Sequence, residues 1–221
     1  MTQSFALSPD HRGDIRVVFT LKWDSVFLGP SDSKENVGLK KDLGVFEAIS
    51  TPLGDKIARH IPYFAKRNSE AARRLIDLEA IALLVKKGDI FGYIDGQYAY
   101  GFDGAVYHSG DDMTGTSGPV DETVTSNLSK LPQEIEAVAL VIDSVNDHPL
   151  GRVKGVTCQL LDGMSSKVIA DFSFAGQDCE DTSHLFGLLR RKQESFDFVM
   201  INQGFKVNVH DDILAILGPH L

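Results

Sequence analysis

Short apolar segments separated by turns rich in glycine and aspartate recur along most of this chain. Their alternation and their content of β-branched and aromatic residues predict β-strands at residues 15–21, 105–108, 137–142, 153–161, 168–174 and 196–201. An aromatic stretch from 91 to 102 is interrupted by Asp95-Gly96, which predicts a hairpin turn there. Many short strands of this kind predict a mainly β protein, a two-sheet β-sandwich.

Helical patterns occur in two places. Apolar residues recur at helical spacing from about residue 53 onward, and residues 211–217 read as a short C-terminal helix that Gly218-Pro219 ends. The apolar run at 75–85 is ambiguous, because its periodicity slightly favours a buried helix while its composition also suits a strand. Residues 1–13 read as a loose tail.

Charge and composition exclude several function classes. The chain has 31 acidic and 22 basic residues, a formal net charge of −9, which disfavours binding to nucleic acid and to anionic membranes. No apolar run approaches the roughly 20 residues that cross a bilayer, and the first residues do not resemble a secretion signal. Cys158 and Cys179 do not have the spacing of a zinc site and read as reduced. These features predict a cytoplasmic protein that does not insert into membranes.

The segment from 103 to 122 is the densest polar feature, with five carboxylates among several glycines. Calcium prefers six to eight oxygen ligands from carboxylates and carbonyls, and glycine permits the turns that wrap a loop around an ion. An acidic turn exposed to solvent would have the same composition. His108 borders the segment and could act as a base or as a metal ligand, although a histidine beside aspartates is more often a structural hydrogen-bonding group.

Three blocks occur in the same order in the TerD family of tellurium-resistance and stress proteins. Lys22-Trp23-Asp24 resembles the family's Gly-Trp-Asp, and Asp77-Leu78-Glu79 resembles its Asp-Leu-Asp. His108-Ser109-Gly110-Asp111-Asp112, followed by Asp121-Glu122, resembles its His-Thr-Gly-Asp-Asn loop and closing acids. The resemblance covers residues 15–24 and 75–210. It implies one domain over residues 1–221, and it places residues 75–85 on a strand, where Asp77 and Glu79 share a face.

The resemblance also implies calcium as the cofactor, with one or two ions bound. By position it identifies ligands or near-ligands, the two glycines acting through their carbonyls, at Asp24, Asp77, Glu79, Gly110, Asp111, Asp112, Gly115, Asp121 and Glu122. Gly118 and Val120 stand where the family has aspartates, which leaves the number of ions open. Residues 25–74 far exceed the family's usual connection and are interpreted as an inserted, partly helical subdomain.

The function implied is that of a calcium-binding stress-response protein, a binding or adaptor module rather than an enzyme. Its partners would be other stress-response proteins, membrane-associated proteins among them. Two alternatives stay open. One is a metal-dependent hydrolase that uses His108 and Asp112 beside a bound ion. The other is an adaptor with a degenerate ion site that works through residues 25–74.

Overall fold

The computed structural model describes residues 3–24, 26, 76–116, 118–145, 148–174, 179–193, 195–206 and 210–221. These residues form two six-stranded sheets with antiparallel neighbours, which confirms the predicted mainly β, two-sheet architecture. The inserted subdomain predicted at 25–74 lies outside the described residues, apart from Val26.

The strands of the first sheet are, in spatial order, β1 (Gln3–Leu7), β12 (Ser195–Phe205), β11 (Ser183–Lys192), β8 (Ala137–Ser144), β3 (Leu78–Lys86) and β4 (Asp89–Ile94). Those of the second sheet are β10 (Val168–Ser173), β9 (Lys154–Asp162), β2 (Arg16–Asp24), β7 (Glu122–Asn127), β6 (Val106–His108) and β5 (Tyr100–Gly101). The chain crosses from the first sheet to the second between Ile94 and Tyr100. The hairpin predicted at Asp95-Gly96 is therefore wrong, because β4 pairs with β3 and β5 pairs with β6.

The main core lies between the sheets. Val17, Phe19, Leu21 and Trp23 alternate along β2 and are all buried, as expected when every second side chain of a strand faces the same layer. The ring of Phe19 stacks on that of Phe186 in β11 at a centroid distance of 5.4 Å. Full burial of a large apolar side chain contributes about 1.5–3 kcal/mol, so this layer is the main source of stability.

Strand β3 is apolar on both faces. Leu78, Ala80, Ala82 and Leu84 point into the main core, whereas Ile81 and Val85 belong to a second cluster on the outer face of the first sheet. A strand covered on both sides has a nearly continuous apolar sequence, which explains why periodicity alone suggested a helix. The assignment of this segment to a strand is confirmed.

The second cluster lies under the C-terminal helix α1 (His210–Leu217), whose Ile213 and Leu217 are buried there. This confirms the helix predicted at 211–217. None of the helices among the described residues is long and apolar enough to cross a bilayer. The loose tail predicted at residues 1–13 is wrong in part, because β1 pairs antiparallel with β12. Its short, mostly exposed sequence gives little apolar signal.

The described residues on either side of the inserted segment meet. The backbone N–H of Ile76 donates to the carbonyl of Val26 at 3.1 Å. The two described residues that flank residues 27–75 are therefore neighbours, just after the end of β2 and just before the start of β3.

Candidate metal centre

Glu79, His108 and Glu122 form a buried cluster at the end of the sandwich where β3 begins. Nε2 of His108 lies 3.5 Å from Oε1 of Glu79 and 3.4 Å from Oε2 of Glu122. One potential ligand atom from each residue lies within 4.8 Å of the others, and all three residues are buried. Glu79 comes from the first sheet, and His108 and Glu122 come from the second. The cluster therefore connects the two layers.

The position of Glu122 follows from where β4 ends. The last residue of β4, Ile94, pairs with Ala82, so the first residues of β3 have no described strand on that side. The N–H of Ala80 instead donates to Oε2 of Glu122 at 2.7 Å. The other oxygen of Glu122, Oε1, accepts the N–H of Asp112 at 3.0 Å. One carboxylate therefore satisfies buried backbone donors from β3 and from the acidic loop.

Glu79 is held by the connection that crosses between the sheets. Its Oε1 accepts the N–H of Gly96 at 2.7 Å. A Cβ atom on residue 96 would lie 2.7 Å from Cβ of Asp111 and 2.9 Å from Oε1 of Glu79, so only glycine allows this approach. Oδ1 of the neighbouring Asp95 accepts the N–H groups of Gln97 and Tyr98, which shapes the turn. The turn signal at Asp95-Gly96 was therefore correct, although the pairing inferred from it was wrong.

Glu79 and Glu122 are both buried, and burial disfavours their negative charge. Burial raises the pKa of Glu79 to about 9, helped by the negative charges of Glu122, Asp111 and Asp95, while the Gly96 N–H opposes the shift. Burial also raises the pKa of Glu122, and His108 and two backbone N–H groups work against that rise. The buried Glu79 thus lies close enough to Glu122, Asp111 and Asp95 for their charges to act on it, and a divalent cation would relieve this repulsion.

The imidazole of His108 is oriented by its own loop. Its Nδ1 accepts the N–H of Gly110 at 3.0 Å. Its Nε2 is buried and makes no well-aligned hydrogen bond with any residue that the structure describes. The structure thus directs this nitrogen at the two glutamates.

Two aspartates of the acidic loop lie beside the cluster. Asp111 is exposed, and its negative charge contributes to the raised pKa of Glu79. Asp112 is buried; its N–H bonds to Glu122, and its Oδ1 accepts the N–H and hydroxyl of Thr114. Of the nine residues that the resemblance implies, the structure therefore brings together Glu79, Glu122 and this pair.

Asp121 and Gly115 face an ammonium group. Nζ of Lys22 lies 2.9 Å from Oδ1 of Asp121 and donates to the carbonyl of Gly115 at 3.2 Å. Oδ2 of Asp121 accepts the N–H of Trp23 at 2.9 Å. In this arrangement Lys22 already supplies the positive charge beside both residues. Lys22 is the first residue of the block with Trp23 and Asp24, but nothing in the sequence indicated its pairing with Asp121.

The remaining residues of the implied ligand set lie outside the cluster. Asp24 is exposed at the end of β2, beside Gly155, where a Cβ atom would come within 2.5 Å of its Oδ2. Asp77 is buried just before β3, and its carbonyl accepts the N–H of Val145. The N–H of Gly110 is used by His108. A role for these three residues as ligands stays a prediction.

The resemblance left His108 out of the implied ligand set. The sequence signal for an inward-facing side chain was present, because Val106 and His108 alternate with the exposed Tyr107 on β6. Asp95 and Gly96 were interpreted only as turn residues, since nothing local shows that this turn lies against Glu79.

Comparison with known proteins identifies the family. The TerD domain model matches residues 2–213. Tellurium resistance protein TerZ of Serratia marcescens is 30% identical over 110 residues, which are 50% of this chain and 56% of TerZ. General stress protein 16U of Bacillus subtilis (strain 168) is 26% identical over 110 residues, which are 48% of this chain and 57% of that protein. The chain thus aligns with little more than half the length of these curated relatives.

A solved structure agrees in fold. The crystal structure of a homologue of the telluride resistance protein TerD from Streptomyces coelicolor A3(2) superposes with a TM-score of 0.57 at 15% identity. The superposition covers 91% of this chain and 94% of that one. At this identity the likeness shows the fold alone. Because the family model matches nearly the whole sequence, this chain belongs to the TerD domain family.

Proposed function

We propose that this chain is a calcium-binding module of a stress-response system related to tellurium resistance, and that it acts by binding partners rather than by catalysis. The observation that carries the proposal is the convergence of Glu79 and Glu122 from different sheets, with Asp111 and Asp112 beside them. Burying two carboxylates this close together is costly unless a cation or a proton compensates them.

The donor set fits calcium. Calcium is a hard cation that takes oxygen ligands, and each carboxylate offers about four lone-pair sites. Backbone N–H groups use one such site on Glu79 and two on Glu122, which leaves acceptor capacity on both. Glu79, Glu122 and Asp111 would hold the ion, and Asp112 would join them through the loop. The ion would supply positive charge that holds the two sheets together at this end.

The binding role is supported by the family and by the position of the residues that flank the segment 27–75. Relatives of the chain are named as tellurium resistance and general stress proteins. The contact between the flanking residues Val26 and Ile76 lies two residues from Asp24 and one from Asp77 along the chain, close to the start of β3. We propose other stress-response proteins as partners, membrane-associated proteins among them, in the cytoplasm.

The geometry of His108 supports a role other than catalysis. A general base needs a free lone pair within reach of its substrate. His108 is 2% exposed, and its Nδ1 already accepts the N–H of Gly110. We therefore do not propose the hydrolase that the sequence left open.

A thermal melt in calcium and in chelator tests the proposal. A ligand that binds only the native state raises the unfolding midpoint, so millimolar calcium should raise the Tm of the wild-type chain by several degrees. The variant Glu134→Gln serves as the control for the loss of an acidic side chain away from the site, and it should show the same increase in Tm as wild type. Glu134 is exposed and pairs with Lys86 at the opposite end of β3. An unchanged midpoint in wild type would contradict calcium binding, and a shift that magnesium reproduces equally would contradict the preference for calcium.

A further inference from the structure

The contact with the Gly110 backbone determines which tautomer a neutral His108 ring adopts. The N–H of Gly110 can only donate, and it points at Nδ1 from 3.0 Å, so Nδ1 must present a lone pair. A neutral imidazole carries one proton, which must then be on Nε2. This is the nitrogen that faces Oε1 of Glu79 and Oε2 of Glu122. His108 is therefore arranged to give a hydrogen to the carboxylates rather than a lone pair to a metal.

The loop keeps Gly110 in this orientation. Gly110 has a φ of +108°, which a residue with a side chain rarely adopts. The preceding residue, Ser109, makes two hydrogen bonds with Thr123. The Ser109 N–H donates to the carbonyl of Thr123, and Ser109 Oγ accepts the N–H of Thr123. The N–H of His108 itself donates to the carbonyl of Ala99. Turning the Gly110 N–H away from Nδ1 would disrupt the hydrogen bonds that Ser109 makes with Thr123 and that the His108 N–H makes with Ala99.

Metal ligation by Nε2 would require a different tautomer. The proton would have to move to Nδ1, where it would face the N–H of Gly110. Two donors would then point at each other, and the Gly110 N–H would lose Nδ1 as its acceptor. Zinc and similar ions favour imidazole nitrogen, whereas calcium requires only oxygen. The contact between Gly110 and His108 therefore disfavours the nitrogen-bound ion and leaves the oxygen donors in place.

We propose that His108 is a positioning residue that sets the ion preference of the site: it directs its Nε2–H towards Glu79 and Glu122 and leaves an all-oxygen donor set for a hard divalent cation. This rests on the proposed function, since it concerns the same site. His108 is not itself a ligand. It orients the two carboxylates, as groups that hydrogen-bond to metal ligands commonly do.

Histidine ¹⁵N NMR of the full-length chain tests the tautomer directly. The chain has seven histidines, and the spectrum of His108→Gln assigns the resonances of His108 by their loss. We expect a protonated Nε2 and an unprotonated Nδ1, both in chelator and with calcium. A protonated Nδ1, or a coupling between ¹¹³Cd and Nε2 in cadmium-loaded protein, would overturn the proposal.

Two variants separate hydrogen bonding from metal ligation. His108→Gln keeps a side-chain N–H, whereas His108→Leu removes it. We expect the leucine variant to bind calcium about 10-fold or more weakly, and the glutamine variant to stay within about 3-fold of wild type. The glutamine variant should change zinc affinity no more than calcium affinity. A selective loss of zinc binding in that variant would show that His108 is a ligand and would overturn the proposal.

Different results would contradict the proposed calcium binding and the role assigned to His108. If the wild-type chain gives no heat on calcium titration, the proposed function fails, and the ion preference fails with it. If calcium binds but His108 is protonated on Nδ1 or couples to cadmium, only the role assigned to His108 fails.

Discussion

Glu122 lies at the start of β7 in the second sheet, yet its Oε2 accepts the backbone N–H of Ala80 on β3 in the first sheet at 2.7 Å. Its Oε1 accepts the N–H of Asp112 in the acidic loop. The same carboxylate is one of the two proposed to bind the cation. Structure and ion binding therefore depend on one side chain, and its effects on them must be measured separately.

Truncating Glu122 should destabilise the ion-free protein. Glu122→Ala leaves the buried N–H groups of Ala80 and Asp112 without their acceptor, which we expect to cost about 2–4 kcal/mol. Urea denaturation in chelator measures this loss. The control is Glu134→Ala, which removes an exposed ion pair with Lys86 and should cost less than about 0.5 kcal/mol. Equal losses in the two variants would contradict the structural role of Glu122.

Glu79→Gln should separate ion binding from stability. Burial and neighbouring charges raise the pKa of Glu79 to about 9, so a neutral amide resembles the state of this side chain in the ion-free protein near neutral pH. The amide oxygen can still accept the Gly96 N–H. We expect the free energy of unfolding in chelator to stay within about 1 kcal/mol of wild type. The increase in Tm caused by calcium should be clearly smaller than in wild type. A variant that keeps the full increase would rule out Glu79 as a ligand.

The close packing of Gly115 and Trp23 predicts a large cost for a methyl group. Gly115 has a φ of +63°, and a Cβ atom there would lie 2.5 Å from Nε1 of Trp23. Gly115→Ala should therefore cost about 2–4 kcal/mol, from overpacking added to backbone strain. Gly88 is the control, because it has a similar φ of +71° but open space around it. Gly88→Ala should cost about 1 kcal/mol. Urea denaturation that gives the two variants the same loss would contradict the described contact.

Because His184 is buried, we expect the free energy of unfolding to fall in mild acid. Burial lowers its pKa to about 4, against the opposing effects of Asn202 and Asp181. In the unfolded chain His184 takes up a proton near pH 6.5, whereas in the folded protein it does so only near pH 4. Between these pH values protonation favours the unfolded state, so the free energy of unfolding has its full value above about pH 6.5 and falls as the pH is lowered towards 4. Between about pH 7.5 and about pH 5 the loss amounts to about 2 kcal/mol.

The variant His184→Phe isolates this effect. His184 packs against the rings of Phe172 and Phe174 at centroid distances of 4.7 and 4.6 Å, so a phenyl ring can replace it. The fall in unfolding free energy between the two pH values should be smaller in the variant by that ~2 kcal/mol, as measured by urea denaturation. An equal fall in both proteins would show that His184 is not the group responsible.

The sequence predicted the strands better than their pairing. Alternation identified β2 and most later strands, but β3 is covered on both faces, so its periodicity carried no decisive information and only the family pattern assigned it. The turn at Asp95-Gly96 was recognised from local composition. Its role as a crossing between sheets depends on which strands pair with β4 and β5, and that choice is made by distant residues.

The same limit applies to the site. The acids at 79 and 122 stand out in the sequence, yet their contact depends on β4 ending opposite Ala82, which exposes the edge of β3 to Glu122. The pairing of Asp121 with Lys22 likewise joins residues about a hundred positions apart. Composition shows which residues could bind an ion, while long-range packing decides which of them meet.

Calorimetric titration of calcium into the ion-free chain tests the central claim most directly, with wild type, Glu79→Gln and Glu134→Gln compared side by side. We predict saturable binding of one or two ions by wild type and by Glu134→Gln, and one ion fewer in Glu79→Gln. Identical isotherms for wild type and Glu79→Gln, or no binding by wild type, would contradict a cation site at Glu79 and Glu122.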